Sequence, residues 1–275
     1  MYKLIACDLD ETLYGNDRTI PARNVEAIKR ASELGVKFIP ATGRGYNSVR
    51  ETLVDLGLLD KEGEYVISYN GGAITENKGN RLLHFQGLPF EEAEELYRRG
   101  LNYDVCIHVY TREMVYAYNI TQEEIARLSK RMQVTKVFDR DLQFLAGQDI
   151  AKVLYENRDF DYLKKIEEEL KDITGNMDVS FSSNRYIEFN SKGVTKGAGL
   201  RFVAEMLGIK REETIAIGDN FNDLSMIQEA GLGVGVQNTI QGMRQYCDYI
   251  TEATNDEGGV GEVIEKFILN PADNR

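Results

Sequence analysis

Cysteine, proline and cationic residues are all scarce in this chain, and each scarcity removes a class of protein. Three cysteines in 275 residues, Cys7, Cys106 and Cys247, are too scattered for a disulfide framework or a zinc site. They read as reduced, buried thiols of a cytosolic protein, so a cytoplasmic location is expected. Four prolines and no low-complexity stretch confine expected disorder to the tail from Asn270 to Arg275. Lys and Arg number 33 against 45 Asp and Glu, a formal net charge of −12. Such a chain repels nucleic acid and anionic lipid at long range, so neither is an expected partner. No apolar run is long enough to cross a membrane. The N-terminal segment reaches Asp8 before the apolar region of a secretory signal could form. What remains, 42% hydrophobic and 28% charged, is the composition of a globular protein long enough for two domains.

Strand-like and helix-like segments alternate at both ends. Tyr2–Cys7 is a short apolar run that stops at Asp8, as a buried parallel strand does. Pro21–Leu34 repeats apolar residues at helical spacing and stops at Gly35. Val36–Ala41 and Tyr65–Tyr69 read as further strands, with a helix over Tyr46–Leu56 between them. Towards the C-terminus the pattern predicts helices over Thr195–Leu207, Asp223–Ala230, Thr239–Tyr246 and Val260–Ile268, with strands at Thr214–Ile217 and Gly233–Val236. Alternation of this kind implies a doubly wound, mostly parallel α/β sheet covered on both faces. The middle differs. Ile107–Tyr110 with Val115–Tyr118, and Met177–Phe181 with Tyr186–Phe189, read as two hairpins, with helices over Gln122–Met132 and Asp161–Ile173. We therefore expect an α+β unit over 85–188, inserted in a discontinuous α/β core over 1–84 and 189–275.

Four motifs sit where the predicted strands end or the helices begin. Asp8-Leu9-Asp10-Glu11-Thr12-Leu13 follows the first strand, and ligands of a parallel sheet bind beyond the carboxyl ends of its strands. Two residues apart, Asp8 and Asp10 can offer one metal a side chain and a backbone carbonyl. Pro40-Ala41-Thr42-Gly43-Arg44 follows the second strand and offers a hydroxyl and backbone N–H groups to an anion. Gly193-Val194-Thr195-Lys196-Gly197 brings a lysine to a helix start. Gly218-Asp219-Asn220-Phe221-Asn222-Asp223 supplies two carboxylates and two amides on a strand-to-helix loop. Clustered acids repel unless a cation holds them, and an all-oxygen set points to Mg²⁺. Alone, each motif has an ordinary structural explanation: an acidic turn, Thr42 as a helix cap, a surface lysine, capping by Asn222 or Asp219. Their convergence on one sheet is what such explanations do not account for.

In order and type these residues resemble the haloacid dehalogenase superfamily of phosphohydrolases: Asp-x-Asp-x-Thr, Thr-Gly-Arg, Lys-Gly, Gly-Asp-x-x-Asn-Asp. The insert between the second and third motifs, with Asn70-Gly71-Gly72 before it, resembles the Cof-like branch. The resemblance implies a Rossmann-like core carrying a cap domain, and a phosphatase of a small phosphorylated metabolite. It implies that Asp8 is the nucleophile, forming an aspartyl phosphate, and that Asp10 is the acid and base. It further implies Mg²⁺ on Asp8, the Asp10 carbonyl and Asp219, with Leu9, Thr42, Gly43, Lys196 and Asn222 holding the phosphoryl oxygens. Asp223 is a supporting residue or a ligand; Arg44 faces substrate or pairs with an acid. Glu11 departs from the glycine of many relatives without touching the chemistry. A phosphomutase shares the first step, and a phospho-accepting receiver shares the aspartate, hydroxyl and lysine, although a receiver needs no cap. His84 and His108 fall outside the motifs and are expected to be structural.

Overall fold

The computed structural model describes residues 1–128 and 132–270. In chain order its elements are β1 (Leu4–Cys7), α1 (Ala22–Glu33), β2 (Lys37–Pro40), α2 (Arg50–Asp55), β3 (Tyr65–Ser68), β4 (Ala73–Glu76) and β5 (Arg81–Phe85). Then come α3 (Phe90–Gly100), β6 (Cys106–Thr111), β7 (Val115–Tyr118), α4 (Gln122–Leu128), β8 (Val134–Val137), β9 (Ile150–Glu156), α5 (Phe160–Glu169), β10 (Met177–Ser182) and β11 (Tyr186–Ser191). The last are α6 (Lys196–Met206), β12 (Thr214–Gly218), α7 (Leu224–Glu229), β13 (Leu232–Gly235), β14 (Tyr249–Ile250) and α8 (Gly259–Ile264). They fall into two compact units, Met1–His84 with Thr195–Arg275, and Phe85–Val194.

The first unit is built on a five-stranded parallel sheet in the order β14-β13-β12-β1-β2. β1 lies at its centre and is wholly buried. Side chains alternate across a strand, so β1 feeds both faces. Ile5 and Cys7 pack with Phe38, Ile215 and Ile217 against Ile28 of α1 and Val260 and Ile264 of α8. Leu4 and Ala6 pack with Ile39 and Ala216 against Leu200 and Val203 of α6 and Met226 of α7. This is the doubly wound architecture expected, and it brings the C-terminal ends of β1, β2 and β12 side by side.

Two expectations for this unit differ from the structure, and one strand has no counterpart in the sequence pattern. The third predicted strand is not part of the parallel ladder. It forms β3 of a separate β3-β4-β5 sheet, joined to the segment after β2 by a single parallel bridge, Ala41–Ile67. The helix expected over Thr239–Tyr246 is only a short turn at Arg244–Tyr246. There the backbone N–H of Ile240 donates to the Asp219 carbonyl and the Thr239 hydroxyl to that of Gly218, bonds made outside any helix. Tyr249–Ile250 adds a fifth strand too short to show a pattern.

The second unit is a six-stranded mixed sheet, β10-β11-β9-β6-β7-β8. One face packs Ile107, Val109, Val153, Tyr155, Ile187 and Phe189 against Leu96 and Tyr97 of α3 and Leu163 and Ile166 of α5. Both predicted hairpins are present, as β6–β7 and β10–β11. Helix α3, the edge strand β8 and the central strand β9 went unread. β9 (Ile-Ala-Lys-Val-Leu-Tyr-Glu) mixes buried Lys152 and Glu156 with apolar residues, which hides a fully buried strand. The sequence placed the end of this unit at Glu188. β11 runs on to Ser191 in register with β10, which carries the unit to Val194. The helix predicted to Met132 is described as far as Leu128; residues 129–131, and the tail from 271, lie outside the described residues.

Candidate active site

Asp8 is the first residue beyond β1, and its backbone N–H still donates to the Ile217 carbonyl at 2.9 Å, as a continuing strand would. The residue is 6% exposed. Lys196, the first residue of α6, is fully buried and bridges two acids, donating to Asp8 Oδ1 and, at 2.6 Å, to Asp223 Oδ1. The helix start is itself held by Thr195, whose hydroxyl accepts from the Ala198 N–H at 3.1 Å. Two glycines let α6 approach closely enough. A Cβ on Gly71 would lie 2.2 Å from the Thr195 carbonyl oxygen, and one on Gly197 would lie 2.4 Å from that of Ser225. Gly71 also adopts φ +102°, a left-handed conformation that favours glycine.

The loop after β12 closes the site. Asp219 is 3% exposed, and its Oδ1 accepts from the Thr12 hydroxyl at 2.7 Å. Asp223, fully buried, uses its second oxygen to accept from the backbone N–H groups of Asp219 (3.0 Å) and Asn220 (3.1 Å). Asn220 caps the turn by accepting from the Phe221 N–H. Capping therefore falls to Asn220 and Asp223, not to Asn222 or Asp219. Asn222 sits on the same turn, half-buried.

Ligand atoms of Asp8, Asp219 and Asp223 lie within 4.8 Å of one another. Three buried carboxylates face one lysine, and the electrostatics record the imbalance. Burial pushes the Asp8 carboxyl up, against the pull of Lys196, with repulsion from Asp223 adding to the rise. Burial also pushes Asp219 up, reinforced by Asp223 and Asp8 and opposed by the Thr12 hydroxyl. Burial works against the Lys196 charge, but Asp223 and Asp8 outweigh it and hold the ammonium protonated above its ordinary range. An oxygen-only cluster carrying surplus negative charge fits a hard divalent cation. The Asp10 carboxylate is outside this cluster. Both its oxygens accept from Arg44, Oδ2 from Nε at 2.8 Å and Oδ1 from Nη2. Of the two alternatives for Arg44, the structure has the acid pair; its guanidinium also lies 5.5 Å over the Tyr14 ring.

Thr42 is buried after β2, and its hydroxyl accepts from the Arg44 N–H at 3.1 Å. The Thr42 N–H donates to the Ile67 carbonyl of β3, which holds the loop of Gly43. Leu9 is fully buried beside Asp8. Glu11 adopts φ +65°, which explains why glycine suits that position. Thr12 had no role assigned from sequence; the last residue of Asp-x-Asp-x-Thr was the available signal. His84 packs on Phe202 and His108 is buried within the second unit, both away from these residues in sequence and contact.

A family model for haloacid dehalogenase-like hydrolases matches residues 5–264, and the chain belongs to that family, in its Cof-like branch. The 5-amino-6-(5-phospho-D-ribitylamino)uracil phosphatase YcsE of Bacillus subtilis is 30% identical over 268 residues, covering 97% of this chain and 96% of that one. A haloacid dehalogenase-like hydrolase from Bacteroides thetaiotaomicron matches in structure with a TM-score of 0.83 at 33% identity, over 98% of this chain and all of the other. The subclass IIB sugar phosphatase BT4131 shares the fold, with a TM-score of 0.83 at 22% identity over 96% and 98% of the two chains. The chain is accordingly a hydrolase of the phosphatase class.

Proposed function

We propose that this phosphatase is Mg²⁺-dependent, and that it hydrolyses a small phosphorylated metabolite, a sugar phosphate or a phosphorylated cofactor or cofactor precursor, through a phosphorylated Asp8. The observation that carries the reading is Asp8 itself: a buried carboxylate at a strand end, held by buried Lys196 and clustered with Asp219 and Asp223. Relatives support the substrate class, since YcsE is named for a phosphorylated ribityl compound.

Asp8 and Asp219 would hold Mg²⁺ together with the Asp10 carbonyl, and Asp223, whose oxygens already accept from Lys196 and two N–H groups, would support them. Bound there, Mg²⁺ would supply charge that shields the phosphate from the Asp8 carboxylate. An Asp8 oxygen attacks phosphorus and the bond to the leaving alkoxide breaks as Asp10, which has to enter this step protonated and with one oxygen released from Arg44, delivers its proton to that oxygen. Water then attacks the aspartyl phosphate, Asp10 takes its proton, and the bond from Asp8 to phosphorus breaks to give inorganic phosphate and a free carboxylate. Lys196, Thr42, Asn222 and the N–H groups of Leu9 and Gly43 would hold the phosphoryl oxygens, the positioning on which phosphoryl transfer depends. Arg44 orients the Asp10 carboxylate.

Asp8→Asn tests the reading. It keeps the shape and removes the nucleophile, so release of phosphate from p-nitrophenyl phosphate should fall at least about a thousandfold. Chelation should abolish turnover of the parent, and Mg²⁺ should restore it better than Ca²⁺, which prefers a larger oxygen shell. Near-parental turnover by Asp8→Asn, or full activity after exhaustive chelation, refutes the proposal.

A further inference from the structure

The segment that follows Asp10 is held by three asparagines from three separate parts of the first unit. Asn238, in the loop after β13, donates its side-chain amide to the Glu11 carbonyl at 2.8 Å. Asn24 of α1 donates to the Leu13 carbonyl at 3.2 Å, and Asn255 to the Tyr14 carbonyl at 3.0 Å. Two of the three are themselves fixed by backbone. Asn24 Oδ1 accepts from the Gly261 N–H at 2.7 Å, and Asn238 Oδ1 from the Asn255 N–H at 2.9 Å. Asn24 and Asn255 are buried, and Asn238 is half-buried.

The tie to Glu11 falls where the backbone is strained. From Asp10, extended at φ −76° and ψ 127°, the chain enters the left-handed region at Glu11, with φ +65° and ψ 5°. A residue with a Cβ is disfavoured there and, unheld, tends to leave it. The segment beyond is pinned, at the Leu13 and Tyr14 carbonyls and by the Thr12 hydroxyl on Asp219. A change at Glu11 is therefore passed back to Asp10. Arg44 steadies the Asp10 carboxylate through both oxygens, but proton delivery requires one of them to be released. At that moment the aim of Asp10 depends more heavily on its backbone.

We propose that Asn238 is a positioning residue for the proton transfer by Asp10. By holding the Glu11 carbonyl it keeps the left-handed turn, and the turn keeps Asp10 directed at the leaving-group oxygen. This role rests on the phosphatase reading, with Asp10 as the acid, and the experiment separates the two.

The readout is kcat/KM for p-nitrophenyl phosphate divided by kcat/KM for phenyl phosphate. The p-nitrophenolate ion leaves without a proton, whereas the more basic phenolate depends on the acid. Both substrates meet the same folded enzyme, so a merely structural loss leaves the ratio unmoved. Asp10→Asn is the reference and should raise the ratio at least about tenfold. Asn238→Ala should raise it about fivefold, the shift that one lost hydrogen bond brings to a two-state equilibrium. Amide exchange at Tyr14, whose N–H donates to the Leu9 carbonyl at 2.9 Å, should quicken by about the same factor. In a Glu11→Gly background the left-handed turn carries no Cβ penalty, so Asn238→Ala should move the ratio less than about twofold. An unmoved ratio in Asp10→Asn overturns Asp10 as the acid, and the role of Asn238 with it. If Asp10→Asn raises the ratio, three results overturn the role of Asn238 alone: an unmoved ratio in Asn238→Ala, unaltered exchange at Tyr14, or an effect undiminished by Glu11→Gly.

Discussion

His108 makes the second unit acid-sensitive by a calculable amount. Its ring is fully buried between those of Tyr110 and Tyr186, with centroids 6.3 and 6.2 Å away, and neither nitrogen has a hydrogen-bond partner among the described residues. Burial, then the charges of Lys152 and Arg127, push its pKa down from 6.5 to about 3, against the weaker opposing effect of Glu188. In the folded chain the imidazole therefore stays neutral where the unfolded chain already binds the proton. Stability is intact above the unfolded value, falls as the pH drops through 6.5, and this loss is complete only below about 3. Between about pH 7 and pH 5 the linkage costs about 2 kcal/mol, a change of roughly thirtyfold in the folding equilibrium. The assay is hydrogen exchange of peptides from β6 and β9, corrected for the intrinsic pH dependence of exchange. His108→Phe keeps a ring and removes both unpaired nitrogens. It should be at least as stable as the parent at pH 7 and should lose most of that 2 kcal/mol acid dependence. Equal acid losses in the parent and in His108→Phe would refute the reasoning.

Lys196→Met leaves Asp8 and Asp223 buried without their counter-charge. Urea unfolding should show a loss of about 3–5 kcal/mol, and aryl phosphate turnover should fall at least about a hundredfold; a stable, active variant would contradict the arrangement. Gly71→Ala forces a Cβ to within 2.2 Å of a carbonyl at φ +102°, so thermal melting should reveal a loss of at least about 3 kcal/mol, and an unshifted melting temperature would show that α6 can give way. Every residue of the proposed chemistry lies in the first unit. A chain with residues 85–194 replaced by a Gly/Ser linker, once shown by circular dichroism to fold, should still hydrolyse p-nitrophenyl phosphate while its ranking of phosphorylated metabolites flattens. A folded but inert chain would mean the chemistry needs the second unit, and an unchanged ranking would mean selection resides in the first.

Much of this was legible in the order of the residues. Asp8, Thr42, Lys196 and Asp219 each follow a strand or open a helix, and parallel strands separated by helices must present their C-terminal ends together. Local pattern and hydrophobic period thus carried the core, both hairpins of the second unit and the meeting of Asp8, Lys196 and Asp219 at one end of the sheet. Elements whose character depends on distant partners were not legible. β9 hides its burial because Lys152 finds Glu188, 36 residues on, and the short β4 and β14 exist only as partners of other strands. The helix expected at Thr239–Tyr246 yields to bonds with Gly218 and Asp219, which no local propensity records.

By itself the sequence determined which chemical groups sit at strand ends: a run such as Leu4–Cys7 suits a strand buried on both faces of a covered parallel sheet, and Asp8 ends one such run as Asp219 follows another. Only the tertiary structure decided how those groups are paired. Lys196 is set between Asp8 and Asp223, Thr12 on Asp219, and Arg44 on Asp10, at sequence separations of 188, 27, 207 and 34 residues. Pairing of that kind follows from side-chain direction and close helix approach, through glycines such as Gly71 and Gly197, and a charge has no partner until the packed chain supplies one.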